Sequence, residues 1–337
     1  MSNIQTPLLS VVMPVYNSSS YLNEAIDSIL TQTFSDFEFL ILNDGSTDCS
    51  KDIILSYQDE RIKFLDSPVN LGLSARLNTG LQIAQGKYIA RMDSDDVAVS
   101  ERFERQLFFM EKNPNVALCG GFMDFIGNNV PSTALNWVKH TDKDLIKINL
   151  LFDCAICHPT VMFRKEILIH NKITYDSAYE PAEDYKIWLQ MSNINLELIN
   201  IPDILLHFRI NSNQVSTAND NEQRARKFQI MREQLIWLGI TPSGTELLLH
   251  DRLFFQAPIL TFDYIPRINQ WINKLIAANA RHTCYDPVKF EKYLNDLLKA
   301  NIEAFNFKLK SMNLKEKIKF YIKKMLKTGS VNNLLHV

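Results

Sequence analysis

The first 92 residues alternate between short apolar segments and segments with helical spacing, and this alternation restricts the possible folds more than any other feature. Apolar segments rich in β-branched residues predict strands over 8–15, 37–42, 61–65 and 87–92. Apolar residues at helical spacing predict helices over 21–30 and 71–84. Strand–helix alternation with short turns is typical of right-handed βαβ units, so we expect an α/β fold with a mostly parallel central sheet flanked by helices.

Polar side chains follow three of the predicted strands directly. Tyr16 and Asn17 follow the first strand, Asp44 follows the second, and the run Asp93-Ser94-Asp95-Asp96 follows the fourth. Because ligands of parallel sheets bind beyond the carboxyl ends of the strands, we expect these groups to share one site. Three carboxylates so close together repel one another and require a compensating cation. Mg²⁺-type ions take one or two carboxylates with substrate phosphate oxygens, so the run predicts a divalent cation and a diphosphate.

A second acidic pair, Glu183-Asp184, begins a predicted helix over 183–191. A carboxylate separate from the cation site can act as a base. One acidic site for a metal–diphosphate and another for proton removal is the outline of a sugar-nucleotide transferase. The alternative is that both are first-turn acids that interact favourably with the helix dipole.

Composition and charge exclude several classes of protein. The chain has 337 residues, enough for one large domain and a smaller one. Its formal net charge of -2 gives no general basic field, so we expect no nucleic-acid partner. Residues 1–7 lack the segments of a signal peptide, and no apolar run approaches the ~18–20 residues of a membrane span. We therefore expect a cytoplasmic protein.

Five scattered cysteines argue against a disulfide framework. Cys154-Ala155-Ile156-Cys157-His158 has the spacing of a haem-attachment motif, but that chemistry requires export, and the chain shows no export signal. Zinc would need further ligands, and none is suitably spaced. We interpret the cysteines as core thiols.

From about residue 219 onward the sequence pattern is helical, with predicted helices over 222–238, 244–255, 267–280 and 289–308. We therefore expect a catalytic domain over 1–218 and a helical C-terminal region over 219–337.

The segment 314–327 carries six lysines against one glutamate, with apolar residues at helical spacing. Three interpretations are open. The segment is a surface helix packed on its own domain, a helix that lies on an anionic membrane surface, or a nucleic-acid-binding tail. On a membrane surface each lysine would contribute ~1 kcal/mol to the binding free energy. Membrane contact would place the protein peripherally on the inner face of the cytoplasmic membrane.

Four segments together resemble the family 2 inverting glycosyltransferases with the GT-A fold. They are LSVVMPVYN at 9–17, LNDGSTD at 42–48, IARMDSDD at 89–96 and AEDY at 182–185. The resemblance spans about residues 8–216. In addition, the stretches 89–97, 208–210 and 213–216 are similar to bacterial lipooligosaccharide β-1,3-N-acetylglucosaminyltransferases.

The resemblance implies a UDP-sugar donor and a set of residues that bind it. Asp44 matches the aspartate that accepts a hydrogen bond from uracil, and a charged acceptor strengthens that bond. Asp95 matches a direct ligand of Mn²⁺ or Mg²⁺, and Asp93 faces the ribose and the metal. Pro14, Val15 and Tyr16 match a loop that packs on the base. The implied nucleotide-sugar-binding residues are Pro14, Val15, Tyr16, Asn17, Asp44, Arg76, Asp93, Ser94 and Asp95.

The resemblance also implies the residues that act on the acceptor, a saccharide on a lipid-linked glycan. Asp184 matches the general base that removes the proton of the acceptor hydroxyl, a role worth about 10²–10⁴-fold in rate. Glu183 would orient the acceptor. His158, His207 and Arg209 are candidates for contacts with the acceptor or the phosphates.

The sequence departs from the family pattern at two places. Leu77-Asn78 stands where the family often has Arg-Asn, with Arg76 one position earlier. Asn211 stands where the family often has a histidine, with His207 nearby but offset, and the substitute for that histidine stays open.

Alternatives remain for the function. GlcNAc is the expected sugar, with UDP-galactose and UDP-glucose as alternative donors. A sugar nucleotidyltransferase would need a glycine-rich loop with a basic residue, whereas residues 14–20 contain no Gly, Lys or Arg. A non-catalytic binding module is disfavoured because Asp93, Asp95 and Asp184 are all present.

Overall fold

The computed structural model describes residues 6–127, 130, 139–210, 220–317 and 319–320. The chain divides into two compact units, Met1–Ile230 and Met231–Val337. The boundary expected after residue 218 falls beside residues outside the described ranges and stays a prediction.

The first unit contains a sheet of eight strands: β1 Leu9–Val15, β2 Phe37–Asp44, β3 Ile62–Ser67, β4 Tyr88–Arg91, β5 Val97–Ala98, β6 Val116–Ile126, β7 Met162–Arg164 and β8 Glu197–Arg209. Their order in the sheet is β3-β2-β1-β4-β7-β6-β8-β5. The first four strands of this order are parallel, and β8 is parallel to β6. Strand β7 is antiparallel to both of its neighbours, and β5 is antiparallel to β8. The expected parallel arrangement therefore holds in the first half of the sheet, and the second half is mixed.

Helices in this unit follow the strands along the chain and cover the sheet. They are α1 Leu22–Leu30, α2 Ser50–Ser56, α3 Leu73–Ile83, α4 Arg102–Lys112, α5 Lys143–Asn149, α6 Lys165–His170 and α7 Glu183–Asn193, with 3₁₀ turns at His158–Thr160 and Ser177–Tyr179. Every residue of β1 is buried, and its alternate residues enter two separate apolar clusters. A strand buried on both faces is typical of an α/β sheet, so the predicted fold class is confirmed.

The register brings the polar strand ends together. Val15 of β1 pairs with Asn43 of β2, and Val12 of β1 pairs with Arg91 of β4. The carboxyl ends of these three parallel strands therefore meet at one edge of the sheet, where the sequence predicted the site.

Helix α1 begins without a side-chain cap. Its N-cap residue is Tyr21, which makes no side-chain capping bond. Instead, the Leu22 amide donates to the Ser18 carbonyl at 3.1 Å. The Ser18 side chain is engaged elsewhere, by Ser94.

The helical C-terminal region is confirmed. Helix α8, Asp220–Trp237, contains the division between the units, and α9 Gly244–Phe254, α10 Tyr264–His282 and α11 Pro287–Ser311 belong to the second unit. Ser243 begins α9 through a reciprocal capping box with Glu246. Within the described ranges, every helix is too short or too polar to serve as a membrane span. Of the predicted basic helix over 314–327, residues 314–317 and 319–320 are helical, and the rest lies outside the described residues.

Candidate functional site

Three aspartates converge directly after β4. Asp93, Asp95 and Asp96 each place one carboxylate oxygen within 4.8 Å of the others. Asp93 and Asp95 are half-buried, whereas Asp96 is fully buried. Within the described part of the chain, the Asp96 Oδ2 atom is buried and has no hydrogen-bond partner. Clustered carboxylate oxygens are the ligands that Mg²⁺ and Mn²⁺ prefer, so these residues fit a divalent cation.

The sequence placed Asp96 in the acidic run that requires a cation, but the family resemblance implied only Asp93 and Asp95 at the metal. Burial, followed by the charges of Asp93 and Asp95, raises the pKa of Asp96 well above its ordinary value. A cation bound beside Asp96 would favour its ionised form.

Arg91 is a buried residue of the site that sequence reasoning missed. Its two terminal nitrogens pair with the two carboxylate oxygens of Asp93. Burial raises the pKa values of Glu183 and Asp184, and the positive charge of Arg91 opposes that rise in part. One guanidinium thus acts on both acidic groups of the site. The available signal was its position two residues before Asp93, since alternate residues of a strand lie on the same face.

Glu183 and Asp184 begin α7 but are not solvated first-turn acids. Glu183 is 5% exposed, and its Oε2 atom has no hydrogen-bond partner among the described residues. Asp184 accepts from the Tyr185 amide at 2.7 Å, and the Cys154 thiol lies 3.5 Å from its Oδ2 atom. Burial raises the pKa of both carboxyls, and the Asp184 charge further raises the pKa of Glu183, to about 8. Buried carboxyls with raised pKa values are candidates for acid–base chemistry.

Asp44 holds the loop that follows β3. The amides of Leu71 and Gly72 each donate to its carboxylate at 2.9 Å, and Arg76 Nε lies 3.0 Å from its Oδ1 atom. A carboxylate offers about four acceptor positions, so one remains for a ligand. The contact of Asp44 with uracil, and that of Arg76 with a phosphate, stay predictions.

The loop expected over Pro14–Tyr16 begins later than predicted. Pro14 and Val15 are buried in β1, because this strand continues to Val15 in register with β2. Tyr16 is the exposed residue, at 50%. Asn17 has a φ of 49° and accepts from the Thr47 amide at 2.8 Å, which fixes the turn after Tyr16. Of the three residues expected to pack on a base, Tyr16 therefore offers the side-chain surface.

Two side chains tie helix α3 to the segment that precedes α7. Glu180 Oε1 accepts from the Ser74 amide at 2.6 Å, in the first turn of α3. Asn78 Oδ1 accepts from the Tyr175 amide, and its Nδ2 donates to the Tyr175 carbonyl, both at 2.8 Å. Helix α3, which begins beside Asp44, is thus connected to the segment that leads into α7 and Glu183.

The two histidines predicted as site residues, His158 and His207, lie beside other side chains, Tyr175 and Asp124. His158 is buried, and its Nε2 lies 2.8 Å from the Tyr175 hydroxyl. Burial lowers the pKa of His158 well below its usual value, so the ring is neutral. His207 on β8 lies 3.8 Å from Asp124. Their predicted contacts with acceptor or phosphate stay predictions, and Asn211 lies outside the described residues.

The cysteines form no cross-links: all five, each within the described ranges, are free thiols. Cys119 and Cys157 are buried, as expected of core thiols. The expectation is wrong for Cys49, which is exposed, and for Cys154 and Cys284, which are half-buried. Cys154 lies beside Asp184.

Arg209 lies against the loop that carries the aspartates. Its Nε donates to the Asp95 carbonyl, and its amide donates to Asp96 Oδ1, both at 2.8 Å. The sequence indicated a contact with acceptor or phosphate, and that contact stays a prediction.

Comparison with known sequences identifies relatives over most of the chain. Residues 10–171 match the family described as Glycosyl transferase family 2. An uncharacterised glycosyltransferase of Haemophilus influenzae is 29% identical over 91% of this chain and 98% of its own length. A second, from Methanocaldococcus jannaschii, is 35% identical over 62% of this chain and 73% of its own length. The Escherichia coli UDP-Glc:alpha-D-GlcNAc-diphosphoundecaprenol beta-1,3-glucosyltransferase WfgD is 30% identical over 66% of this chain and 85% of its own length.

Solved structures share the fold. S. aureus TarS 1-349 in complex with UDP-GlcNAc aligns with a TM-score of 0.55 and 19% identity, over 95% of this chain and 92% of that one. The mannosyltransferase PcManGT from Pyrobaculum calidifontis, in complex with GDP-Man and Mn2+, aligns with a TM-score of 0.55 and 15% identity, over 90% of this chain and 88% of that one. At these identities the likeness concerns the fold, and it confirms the expected architecture.

Proposed function

The chain belongs to glycosyl transferase family 2, and we propose that it is a metal-dependent inverting enzyme that moves a sugar from a UDP-sugar to a saccharide on a lipid-linked surface glycan. The observation that carries the proposal is the convergence of Asp93, Asp95 and Asp96 directly after β4. Buried Glu183 and half-buried Asp184 supply separate carboxyl groups for the acceptor. Family membership sets aside the nucleotidyltransferase alternative.

On the donor side of the site, Asp93 and Asp95, joined by Asp96, would hold Mn²⁺ or Mg²⁺. When bound, such an ion neutralises the charge that develops on the departing diphosphate. The proposal draws support from the neighbour structure that contains GDP-Man and Mn2+. Asp44 accepts a hydrogen bond from uracil, and Tyr16 packs on the base.

The acceptor side uses Asp184 as the general base. Asp184 takes the proton of the acceptor hydroxyl while the hydroxyl oxygen forms a bond to the anomeric carbon. The bond between that carbon and the UDP oxygen breaks on the opposite face, so the configuration inverts and UDP leaves with the electron pair. A raised pKa suits this role, because a base is most effective when its pKa approaches the working pH. Glu183 orients the acceptor, and its pKa of about 8 keeps it largely protonated at neutral pH, as a hydrogen-bond donor.

We propose GlcNAc as the transferred sugar, in agreement with the narrower resemblance to lipooligosaccharide N-acetylglucosaminyltransferases and with the UDP-GlcNAc complex of TarS. Glucose is the second candidate, because the E. coli relative at 30% identity is named for UDP-Glc. That relative's name also gives a diphosphoundecaprenol-linked acceptor, which supports a lipid-linked acceptor here.

We also propose that the C-terminal end contacts an anionic membrane surface on the cytoplasmic side. Phe307 and Leu314 are each 75% exposed. Lysines surround them in the sequence, at positions 308, 310, 315, 317 and 319, against one acid, Glu316. Exposed apolar side chains beside lysines fit an anionic bilayer.

A panel of UDP-sugars tests the proposed reaction. We expect UDP release from UDP-GlcNAc or UDP-glucose with Mn²⁺, and none after EDTA. Calorimetric titration of UDP with and without Mn²⁺ measures the metal dependence directly. Equal UDP affinity in EDTA, or no turnover with any UDP-sugar, would contradict the proposal.

A further inference from the structure

Arg209 is held by the sheet on both sides. It is the last residue of β8, and it pairs with Ile126 of β6. On the other side of β8, His207 pairs with Val97 of β5, the strand that directly follows the aspartates. Because β8 lies between two strands, the backbone of Arg209 has a fixed position relative to the aspartate loop.

Arg209 continues the ladder between β5 and β8 into that loop. Its amide donates to Asp96 Oδ1 at 2.8 Å, so a carboxylate takes the place of the next strand carbonyl. Its side chain then reaches the preceding residue, because Nε donates to the Asp95 carbonyl at 2.8 Å. The amide contact survives any substitution except proline, whereas the contact to Asp95 requires the guanidinium.

The outer end of the guanidinium is fixed by helix α1. Its Nη2 atom pairs with Glu24, and its central carbon lies 4.5 Å from the centre of the Tyr21 ring. The side chain is 12% exposed. A planar guanidinium can meet a carbonyl, a carboxylate and a ring face at once, whereas an ammonium group is a point charge on a flexible stem.

We propose that Arg209 is a positioning residue of the cation site. By holding the Asp95 carbonyl, it keeps the Asp95 carboxylate within the group formed with Asp93 and Asp96. Arg91 does the same for Asp93 through its carboxylate, so two arginines fix two different ligands. This role rests on the proposed function, and it differs from the contact with acceptor or phosphate that the sequence suggested.

Direct Mn²⁺ binding, measured by electron paramagnetic resonance without a sugar donor, tests the role. The variants are Arg209→Ala, Arg209→Lys and the matched control Arg105→Ala, which removes an exposed arginine paired with Glu101 and Asp203. We expect Arg209→Ala to weaken Mn²⁺ binding by roughly 10–100-fold, as for other groups that orient metal ligands, with little change in Tm. Arg209→Lys should recover only part of the affinity. Methylguanidinium added to Arg209→Ala should restore binding, and Arg105→Ala should bind like the wild type.

Three results would count against the inference. Wild-type Mn²⁺ affinity in Arg209→Ala would overturn it and leave the proposed function intact. If Arg209→Ala does not fold, unchanged affinity in Arg209→Lys would have the same meaning. A wild-type protein that binds no Mn²⁺, with or without UDP, would instead overturn the proposed function and this role with it.

Discussion

At the level of single residues, the site depends on carboxyl groups that are buried around one guanidinium. Removing a carboxylate from water raises its pKa unless a nearby positive charge favours the ionised form. Arg91 pairs with both carboxylate oxygens of Asp93. Glu183 and Asp184 feel the same charge, but burial outweighs it and their pKa values stay raised. The site therefore holds a carboxylate paired with Arg91 directly after β4, and a second acidic pair at the start of α7 whose raised pKa values suit proton transfer.

Asp184→Asn should abolish transfer while donor binding is retained. The amide has nearly the same shape, so it can keep the contacts of Asp184 with Tyr185 and Cys154 but cannot accept the acceptor proton. We expect the turnover number to fall by about 10²–10⁴-fold, the usual contribution of a general base. Steady-state UDP release measures the loss, and calorimetry measures UDP affinity. Asp203→Asn is the control, since this carboxylate lies on the surface and pairs with Arg105. Near wild-type turnover in Asp184→Asn would remove Asp184 from the mechanism.

The pH dependence of the rate should be bell-shaped, with limbs from the two carboxyls. Activity should rise as Asp184 ionises, at a pH above the ordinary range of an aspartate because burial raises its pKa. It should fall again near pH 8, where Glu183 loses the proton with which it orients the acceptor. Glu183→Gln stays neutral at every pH, so it should keep the rising limb and lose the falling one.

Profiles of kcat/KM between pH 5 and about 9.5 measure both limbs, because kcat/KM follows the ionisation of the free enzyme. The two groups interact, so each apparent pKa belongs to the pair. A falling limb that persists in Glu183→Gln would assign that limb to another group.

At the level of elements, close packing between α3 and β1 places the helix that begins beside Asp44. A Cβ built on Gly80 of α3 would lie 2.4 Å from Val12 Cγ1 in β1 and 3.1 Å from Leu42 Cδ1 in β2. Gly80→Ala should therefore lower the free energy of unfolding by about 1–3 kcal/mol through overpacking, even though alanine is the better helix former. Urea denaturation followed by circular dichroism measures the change.

Gly244→Ala is the matched control, because no atom lies within 4 Å of the Cβ position in the first turn of α9. There the change should be neutral or stabilise by up to ~1 kcal/mol. Equal effects of the two substitutions would show that the α3–β1 contact relaxes without cost.

The sequence predicts elements whose pattern is local and long enough to repeat. The bounds of β1 to β4 and of α3 differ from the prediction by at most two residues. Strand β5 has two residues, too few to show a period, and the antiparallel pairings of β5 and β7 depend on contacts distant in sequence. The order and direction of the strands in the mixed half of the sheet could not be predicted for this reason.

The same distinction applies to the site. Asp93, Asp95 and Asp96 are neighbours in sequence, so their proximity could be predicted. The link between Glu180 and Ser74 joins residues 106 positions apart, and the contact of Cys154 with Asp184 joins residues 30 apart. No local pattern records such contacts, because they follow from the packing of α7 and its preceding segment against the sheet.

At the level of the whole molecule, charge is distributed unevenly. The net charge is -2, yet residues 308–320 contain five lysines and one glutamate. A local positive surface of this kind attracts anionic lipids over about a Debye length, ~8 Å at physiological ionic strength, without a basic field around the whole protein. This arrangement would bring the enzyme to the surface where a lipid-linked acceptor resides.

Replacing the exposed apolar residues of this surface should weaken membrane binding. Burial of one large apolar side chain contributes roughly 1.5–3 kcal/mol, so Phe307→Glu or Leu314→Glu should reduce partitioning to vesicles of phosphatidylglycerol and phosphatidylcholine by about tenfold or more. Val288→Glu is the matched control, because Val288 is 76% exposed at the other end of α11, away from the lysine-rich segment. Co-sedimentation measures the bound fraction, and higher salt should lower it because screening weakens the attraction between lysines and lipid. Equal partitioning of the wild type, Phe307→Glu and Val288→Glu would show that this surface packs against something other than a bilayer. Equal loss of binding in Val288→Glu would show that the effect is not specific to the lysine-rich surface.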